Sequence, residues 1–114
     1  MVYKILSRGE LDEACRSGAY EGSRDDVRDG FIHLSDRSQL DGTLAKHFRG
    51  RSGLVLVAFD AETLGPALVR EPSRGGALFP HLYAPLPAAA GLQVWELPLG
   101  GDGIPALPED LSPC

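Results

Sequence analysis

The sequence has few of the features that mark disulfide-rich, zinc-binding or membrane-spanning proteins. Its only cysteines are Cys15 and Cys114, and they form no CxxC pair. A disulfide framework or a zinc site with cysteine ligands is therefore not predicted. No apolar run approaches the roughly 20 residues of a membrane-spanning helix, and no long apolar segment follows Met1. We expect a cytoplasmic protein without a signal peptide.

Basic residues are not in excess either. The chain has 11 Lys and Arg residues against 16 Asp and Glu residues, which gives a formal net charge of −5. A negative chain has little general affinity for the nucleic-acid backbone or for anionic lipid. We therefore predict neither duplex nucleic acid nor a membrane as a partner.

The length of the chain sets the number of domains. A chain of 114 residues fits one domain. We predict a single domain over residues 1–114, in which about 101–114 form an irregular C-terminal tail, because Gly, Pro and acidic residues dominate there.

Short apolar runs predict a strand-rich fold. Strand patterns occur at residues 2–6, 31–34, 53–60, 67–70, 79–83 and 92–97. The run at 53–60 (GLVLVAFD) is almost continuously apolar, which predicts a central strand buried on both faces.

Two segments carry helix signals. The first begins with the capping-box pair Ser7 and Glu10, and the second begins at Ser35 or Asp36. Residues 20–30 between them are charged and contain two glycines, so we predict a loop that is either a binding loop or a plain connection. The mixture indicates an α+β fold with a small, curved, largely antiparallel sheet and two main helices.

Two segments share a pattern that indicates a ligand site. In an extended chain alternate residues lie on one face, so Phe31, His33 and Ser35 would point together. The same holds for Phe79, His81 and Tyr83. Each face would carry an aromatic ring, an imidazole and a hydroxyl, and two such faces that meet would form a pocket. Imidazole acts as a general acid or base near neutral pH, or donates to a bound oxygen.

Each of these residues also has a structural alternative. Ser35 could only cap the second helix, and His33 and His81 could be hydrogen-bonded structural histidines. Gln39 and Thr43 are spaced i,i+4 and share a helix face beside His33. They either extend the site or are ordinary surface positions.

The segment from Glu71 to Gly76 is a second candidate. Its glycines allow neighbouring N–H groups to converge on an anion, Arg74 could supply positive charge, and Glu71 could orient a histidine or bind a ribose hydroxyl. A hairpin turn is the alternative. The segment has no Walker or Rossmann glycine spacing.

We predict no metal site, and a serine nucleophile has little support. His33, His81 and Glu71 could supply three ligands, but such spacing is common by chance. The sequence GFIHLS does not match the GxSxG elbow of serine hydrolases.

The segments GFIHLS (30–35) and EPSRGGALFPHLY (71–83) resemble those of a bacterial family known as Domain of Unknown Function 952, and the resemblance covers nearly the whole chain. The matching residues are His33, Ser35, Gln39, Thr43, Glu71, Arg74, Phe79, Pro80, His81 and Tyr83.

That family is distantly similar to the ADP-ribosyltransferase-like fold, which includes RNA 2′-phosphotransferases. The resemblance implies a split, curved sheet with NAD or an ADP-ribosylated intermediate in its cleft. His33 would then hold a ribose hydroxyl, Tyr83 or Phe79 would pack against nicotinamide, and Arg74 would lie near phosphate. The late-strand catalytic glutamate of those enzymes would correspond to Glu96.

These observations lead to one main hypothesis and two alternatives. The main hypothesis is an enzyme that binds a nucleotide or NAD and acts at an ADP-ribose unit. NAD would be its substrate, and no cofactor is otherwise predicted. The catalytic candidates are His33, His81 and Glu71, and the ligand-binding candidates are Phe31, Ser35, Gln39, Thr43, Arg74, Phe79 and Tyr83. The alternatives are a non-catalytic domain that binds a small molecule and a metal-dependent hydrolase.

Overall fold

Strands and helices alternate along an α+β chain whose strands form small antiparallel sheets. The structure is a computed structural model and describes residues 1–73 and 76–108. The strands are β1 (Val2–Ser7), β2 (Ala19–Tyr20), β3 (Ile32–His33), β4 (Leu54–Phe59), β5 (Leu68–Pro72), β6 (Leu78–Leu82), β7 (Leu86–Pro87) and β8 (Gly91–Leu97). The helices are α1 (Arg8–Ser17), α2 (Arg24–Asp29), α3 (Leu40–His47) and α4 (Ala61–Leu64).

Strand β4 is the centre of the first sheet, in which the strand order is β1-β4-β8. All six of its residues are buried. Alternate side chains enter two separate hydrophobic clusters, because successive residues of a strand point to opposite faces. Val55, Val57 and Phe59 join one cluster, and Leu54, Leu56 and Ala58 join the other. The prediction of a central strand buried on both faces is confirmed.

A second sheet, with the order β3-β6-β5, carries the two predicted motifs. In its antiparallel register His33 lies opposite His81. On the other side of β6, Val69 lies opposite His81 and Glu71 lies opposite Phe79. Directly opposed residues share a face of the sheet, so the register brings the two histidine segments together. The third sheet consists of the two-residue strands β2 and β7.

The two longest helices begin close to the predicted positions. At α1 the Ser7 hydroxyl accepts from the amide of Glu10, whose carboxylate accepts from the amide of Ser7. The second helical segment starts at Asp36 with a 3-10 turn over residues 37–39 that leads into α3. Of the two predicted start residues, Asp36 is at the cap.

The prediction of a loop over residues 20–30 is wrong, because this segment contains the end of β2 and the whole of α2. Ser23 and Asp26 form a capping box, and Gly30 ends the helix with a φ of 85°. The one buried residue of α2 is the charged Asp26. The helix therefore lacks the apolar periodicity by which amphipathic helices are recognised.

The C-terminal segment is irregular as far as it is described. Ile104 and Leu107 pack against the second hydrophobic cluster. Cys114 and the predicted ligand residue Arg74 lie outside the described residues. Within the described ranges, no helix is long and apolar enough to cross a membrane.

Candidate functional site

A cavity of about 270 Å³ opens beside the paired histidines. Its wall combines side chains from β1, α2 and α3 with residues of β3 and of the β5–β6 hairpin. Of the predicted site residues, the cavity is lined by His33, Ser35, Thr43, Phe79 and His81. The two histidine segments thus share one cleft.

His33 is held between two carboxylates of α2. Its Nδ1 lies 2.6 Å from Oδ1 of Asp26, and its Nε2 lies 3.0 Å from Oδ2 of Asp29. A neutral imidazole has one N–H and an imidazolium has two. Only the imidazolium can donate to both carboxylates, so the neutral ring satisfies one of them at a time.

Asp26 is the most heavily bonded side chain of the site and is only 2% exposed. Besides His33 Nδ1, its oxygens accept from the amide of His33 (3.0 Å), from the amide of Ser23 (2.9 Å) and from Nζ of Lys4 (3.0 Å). Burial by itself would raise the pKa of Asp26. The hydrogen bonds from His33 and the charge of Lys4 outweigh burial and hold that pKa well below its ordinary value.

Lys4 reaches this network from β1. Its ammonium group also donates to the carbonyl oxygen of His33 at 2.9 Å. The side chain is buried, which lowers the pKa of Lys4, and the contact with Asp26 opposes that shift. The site therefore contains a buried ion pair that links β1, α2 and β3.

His81 has a different environment and is only 4% exposed. Its Nδ1 lies 2.8 Å from Oε1 of Glu71, and the same oxygen accepts from the Tyr83 hydroxyl at 2.7 Å. These two contacts, that of Tyr83 above all, lower the pKa of Glu71, and donation to Glu71 raises the pKa of Tyr83. Nε2 of His81 is buried and has no hydrogen-bond partner among the described residues.

Phe31 fixes the two imidazoles relative to each other. Its ring stacks on His81 at a centroid distance of 3.9 Å and contacts His33 at 4.7 Å and Tyr83 at 5.3 Å. The two imidazole centroids are 5.6 Å apart and the rings are nearly perpendicular. Packing on an aromatic ring restricts the rotamers of both histidines, so their nitrogens are held in fixed directions.

The remaining predicted residues divide between the cavity and its supports. Ser35 and Thr43 line the cavity with their hydroxyl oxygens 3.3 Å apart. Gln39 donates to the carbonyl oxygen of Leu78 at 2.7 Å, which ties the 3-10 turn to β6. Phe31, Gln39, Glu71 and Tyr83 lie outside the cavity lining.

Sequence reasoning missed Lys4, Asp26 and Asp29. Lys4 stands in the middle of an apolar strand, and an isolated lysine there is usually taken for a solvated side chain. The capping pattern from Ser23 to Asp26 and the glycine at position 30 were the available signals for α2.

Glu96 lies apart from this site. It is on β8, where its carboxylate is 3.6 Å from the Arg8 guanidinium at the surface, and it is absent from the cavity lining. Within residues 1–73 and 76–108, no group of three or more His, Cys, Asp or Glu side chains is arranged to hold a metal ion.

Comparison with known proteins identifies relatives of the same size. The family model described as "Protein of unknown function (DUF952)" matches residues 5–94. The crystal structure of protein CC0527 from Caulobacter crescentus is 52% identical, with 92% of each chain covered and a TM-score of 0.89. The solution NMR structure of CC0527 is 51% identical, with a TM-score of 0.86 over 97% of this chain and 96% of that one. No curated protein matches the chain.

Proposed function

The chain belongs to the DUF952 family of proteins of unknown function, and we propose that it is an enzyme that binds a nucleotide-type ligand and acts at an ADP-ribose unit. The observation that carries this proposal is the pair of histidines in one cleft, each next to its own carboxylate. A histidine whose orientation is set by a hydrogen-bonded carboxylate is a common arrangement for proton transfer in enzymes.

The wall of the cavity suits a ribosyl centre. Asp25, Asp26 and Asp29 line it together with the basic residues Lys4 and Arg28, with which they form ion pairs. Three acidic against two basic side chains leave the wall slightly negative, and this charge would favour the positive charge that develops when a glycosidic bond breaks. Phe79 offers a ring for a planar base. Asp29 and His33 are both partly exposed, and their polar atoms could bind the hydroxyls of a sugar.

The size of the cavity limits how much of the ligand it would enclose. Ligand pockets range over roughly 300–1,000 Å³, so a cavity of about 270 Å³ is small for a dinucleotide. The nicotinamide ribose end of NAD would enter it, and the phosphates would remain near the mouth.

The proposed reaction breaks the bond between the ribose C1′ carbon and the nicotinamide nitrogen. Nicotinamide leaves with the bonding electron pair, and an oxygen of water or of an acceptor hydroxyl forms the new bond to C1′. His81 Nε2 is buried in the ligand-free structure, so the scheme requires the side chains over it to move when the ligand enters. Nε2 then accepts the proton that this oxygen loses and releases it to solvent when the product leaves. Glu71 is a positioning residue in this scheme, because it fixes Nδ1 of His81 and leaves Nε2 for the acceptor.

The first test is binding and turnover of NAD. Calorimetric titration with NAD and ADP-ribose measures binding, and proton NMR measures released nicotinamide. We expect His81→Gln to lower turnover by about 100-fold or more and to change the dissociation constant much less. Glu62→Gln is the matched control, since Glu62 is exposed on α4 and outside the cavity. Absence of binding at millimolar NAD would contradict the proposal.

One observation favours a second candidate, a domain that binds the same ligand without turnover. Both ring nitrogens of His33 already face carboxylates, which suits a rigid binding surface as well as it suits catalysis. In that case NAD or ADP-ribose would bind in the cavity and be recovered unchanged after long incubation.

A further inference from the structure

We propose that α2 is a movable cover at one side of the cavity, held closed by the polar contacts of Asp26 and Asp29, and that its opening frees the two ring nitrogens of His33 for the ligand. The proposal rests on the proposed function in one respect, namely that the cavity is the ligand site. The mobility of α2 itself can be measured without any ligand.

The first reason is the position of α2. The segment from Ser23 to Asp29 contributes five residues to the lining of the cavity, namely Ser23, Asp25, Asp26, Arg28 and Asp29. A change in the position of this one short helix would therefore alter much of the wall at once.

The second reason is that α2 has no apolar anchor. Asp26 is its only buried residue, and its only apolar side chain, Val27, is 68% exposed. The comparison with α1 is direct, because that helix has a capping box as well but packs Leu11 and Ala14 against the core. Segments with few buried apolar contacts open at lower free energy than the rest of a protein.

The third reason is the nature of the contact that holds α2. A buried ion pair gains attraction at the expense of the hydration of both charges, and the two terms largely cancel. When α2 moves outward, water reaches both Asp26 and Lys4, so the lost attraction is offset by recovered hydration. An apolar side chain that leaves the core gains no favourable hydration, so the free energy of its burial would be lost in full.

Two glycines flank the helix. Gly22 has a φ of 117° and Gly30 a φ of 85°, values that other residues rarely adopt. These positions allow the chain to change direction on either side of α2 with little steric resistance.

The consequence for the site concerns His33. In the closed position its two ring nitrogens are next to Asp26 and Asp29. Outward movement of α2 removes both carboxylates and leaves the imidazole accessible to a ligand hydroxyl. The ligand enters in this open position, and α2 then closes over it, so that the aspartates of α2 line the occupied cavity during the reaction.

Hydrogen exchange of two matched amides tests the proposal. Gly18 and Gly30 both end a helix in the left-handed conformation. The amide of Gly18 donates to the backbone carbonyl oxygen of Ala14 at 2.8 Å, and the amide of Gly30 donates to that of Asp26 at 2.9 Å. In the ligand-free protein we expect Gly30 to be protected at least about tenfold less than Gly18. Amides of β4 report global unfolding.

Two variants distinguish the effect of the contact between Lys4 and Asp26 from the effect of helix propensity on the protection of Gly30. Lys4→Met removes the partner of Asp26, and we expect it to lower the protection of Gly30 about tenfold further relative to the β4 amides. Val27→Thr changes an exposed side chain of similar shape and should leave the protection of Gly30 unchanged.

The proposal is overturned if the amide of Gly30 is as well protected from exchange as the amides of β4. It is also overturned if Lys4→Met lowers the protection of the Gly18, Gly30 and β4 amides by the same factor. Failure of the proposed function looks different, because a protein that does not bind NAD can still show the local opening of α2.

Discussion

At the scale of single residues, the two histidines differ in the number of ring nitrogens that are engaged. His33 has both nitrogens next to carboxylates. His81 has one nitrogen next to Glu71, and its Nε2 has no partner in the part of the chain that the structure describes. The sequence presents them alike, each in a short strand with aromatic neighbours. Their different environments follow from the carboxylates around them. Asp26 and Asp29 lie on α2, seven and four residues before His33, and Glu71 lies on β5, the strand next to β6.

Glu71 gives a residue-scale prediction that is independent of any ligand. Its carboxylate accepts from the Tyr83 hydroxyl, which raises the pKa of Tyr83. In Glu71→Gln the charge is lost, so we expect the pKa of Tyr83 to fall toward the ordinary tyrosine value of about 10. Ultraviolet titration measures the phenolate, and Tyr83→Phe identifies its signal among the three tyrosines. An unchanged titration in Glu71→Gln would show that this contact is absent in solution.

At the scale of secondary-structure elements, the sequence predicted the helices and strands that bury apolar side chains. Strand β4 and helix α1 were recognised because hydrophobic periodicity or a capping box marks them. Strands β2 and β7 have two residues each, too few to show alternation. Helix α2 was missed because its one inward side chain is the carboxylate of Asp26, and a charged residue in a polar segment looks like a solvated one.

The polar anchor of α2 predicts an unusual response to Asp26→Asn. Removal of one partner of a buried ion pair usually costs about 3–5 kcal/mol, because the other charge stays buried. Here Lys4 would be hydrated when α2 opens, so we expect the free energy of unfolding at pH 7 to fall by less than about 3 kcal/mol. Urea denaturation measures this change. Asp25→Asn on the exposed side of α2 is the control, and a loss of the full 3–5 kcal/mol would contradict a readily opened helix.

The same variant has a defined pH dependence. The pKa of Asp26 is depressed in the folded protein, so its stabilising contribution is present above the unfolded value of about 3.9. That contribution is lost as the pH falls below it toward the folded pKa. Wild-type stability should therefore decrease more steeply than that of Asp26→Asn below about pH 4, by at most about 1.4 kcal/mol per pH unit. Equal slopes would contradict the assignment.

At the scale of the whole molecule, the fold places the site where two sheets meet. The amide of Tyr3 in β1 donates to the carbonyl oxygen of Ser35 at 2.8 Å, just after β3. Strand β1 is in the sheet built on β4, and β3 is in the sheet that carries both histidines. Lys4 is therefore within reach of Asp26 and His33. The expectation of one domain over residues 1–114 stays a prediction, as does the cytoplasmic location.

The α+β class could be predicted from the sequence. The contact between the two histidine segments could not, and the prediction of a pocket depended on the assumption that the two segments meet. Alternation in FIHLS and FPHLY indicates which residues of one segment share a face. It does not indicate which strands pair, and the pairing of β3 with β6 joins residues 32–33 to residues 81–82. Pairings of such long sequence separation depend on the packing of the whole chain. The ADP-ribosyl activity and the NAD ligand remain proposals.

The central claim is that His33 and His81 belong to one ligand site, and a two-dimensional NMR titration of the isotope-labelled protein with NAD tests it most directly. The account predicts that the ring signals of His33 and His81 move together with one dissociation constant, and that amide shifts cluster in α2, β3 and β6. Shifts confined to one histidine, or centred on a distant element such as β8, would contradict it.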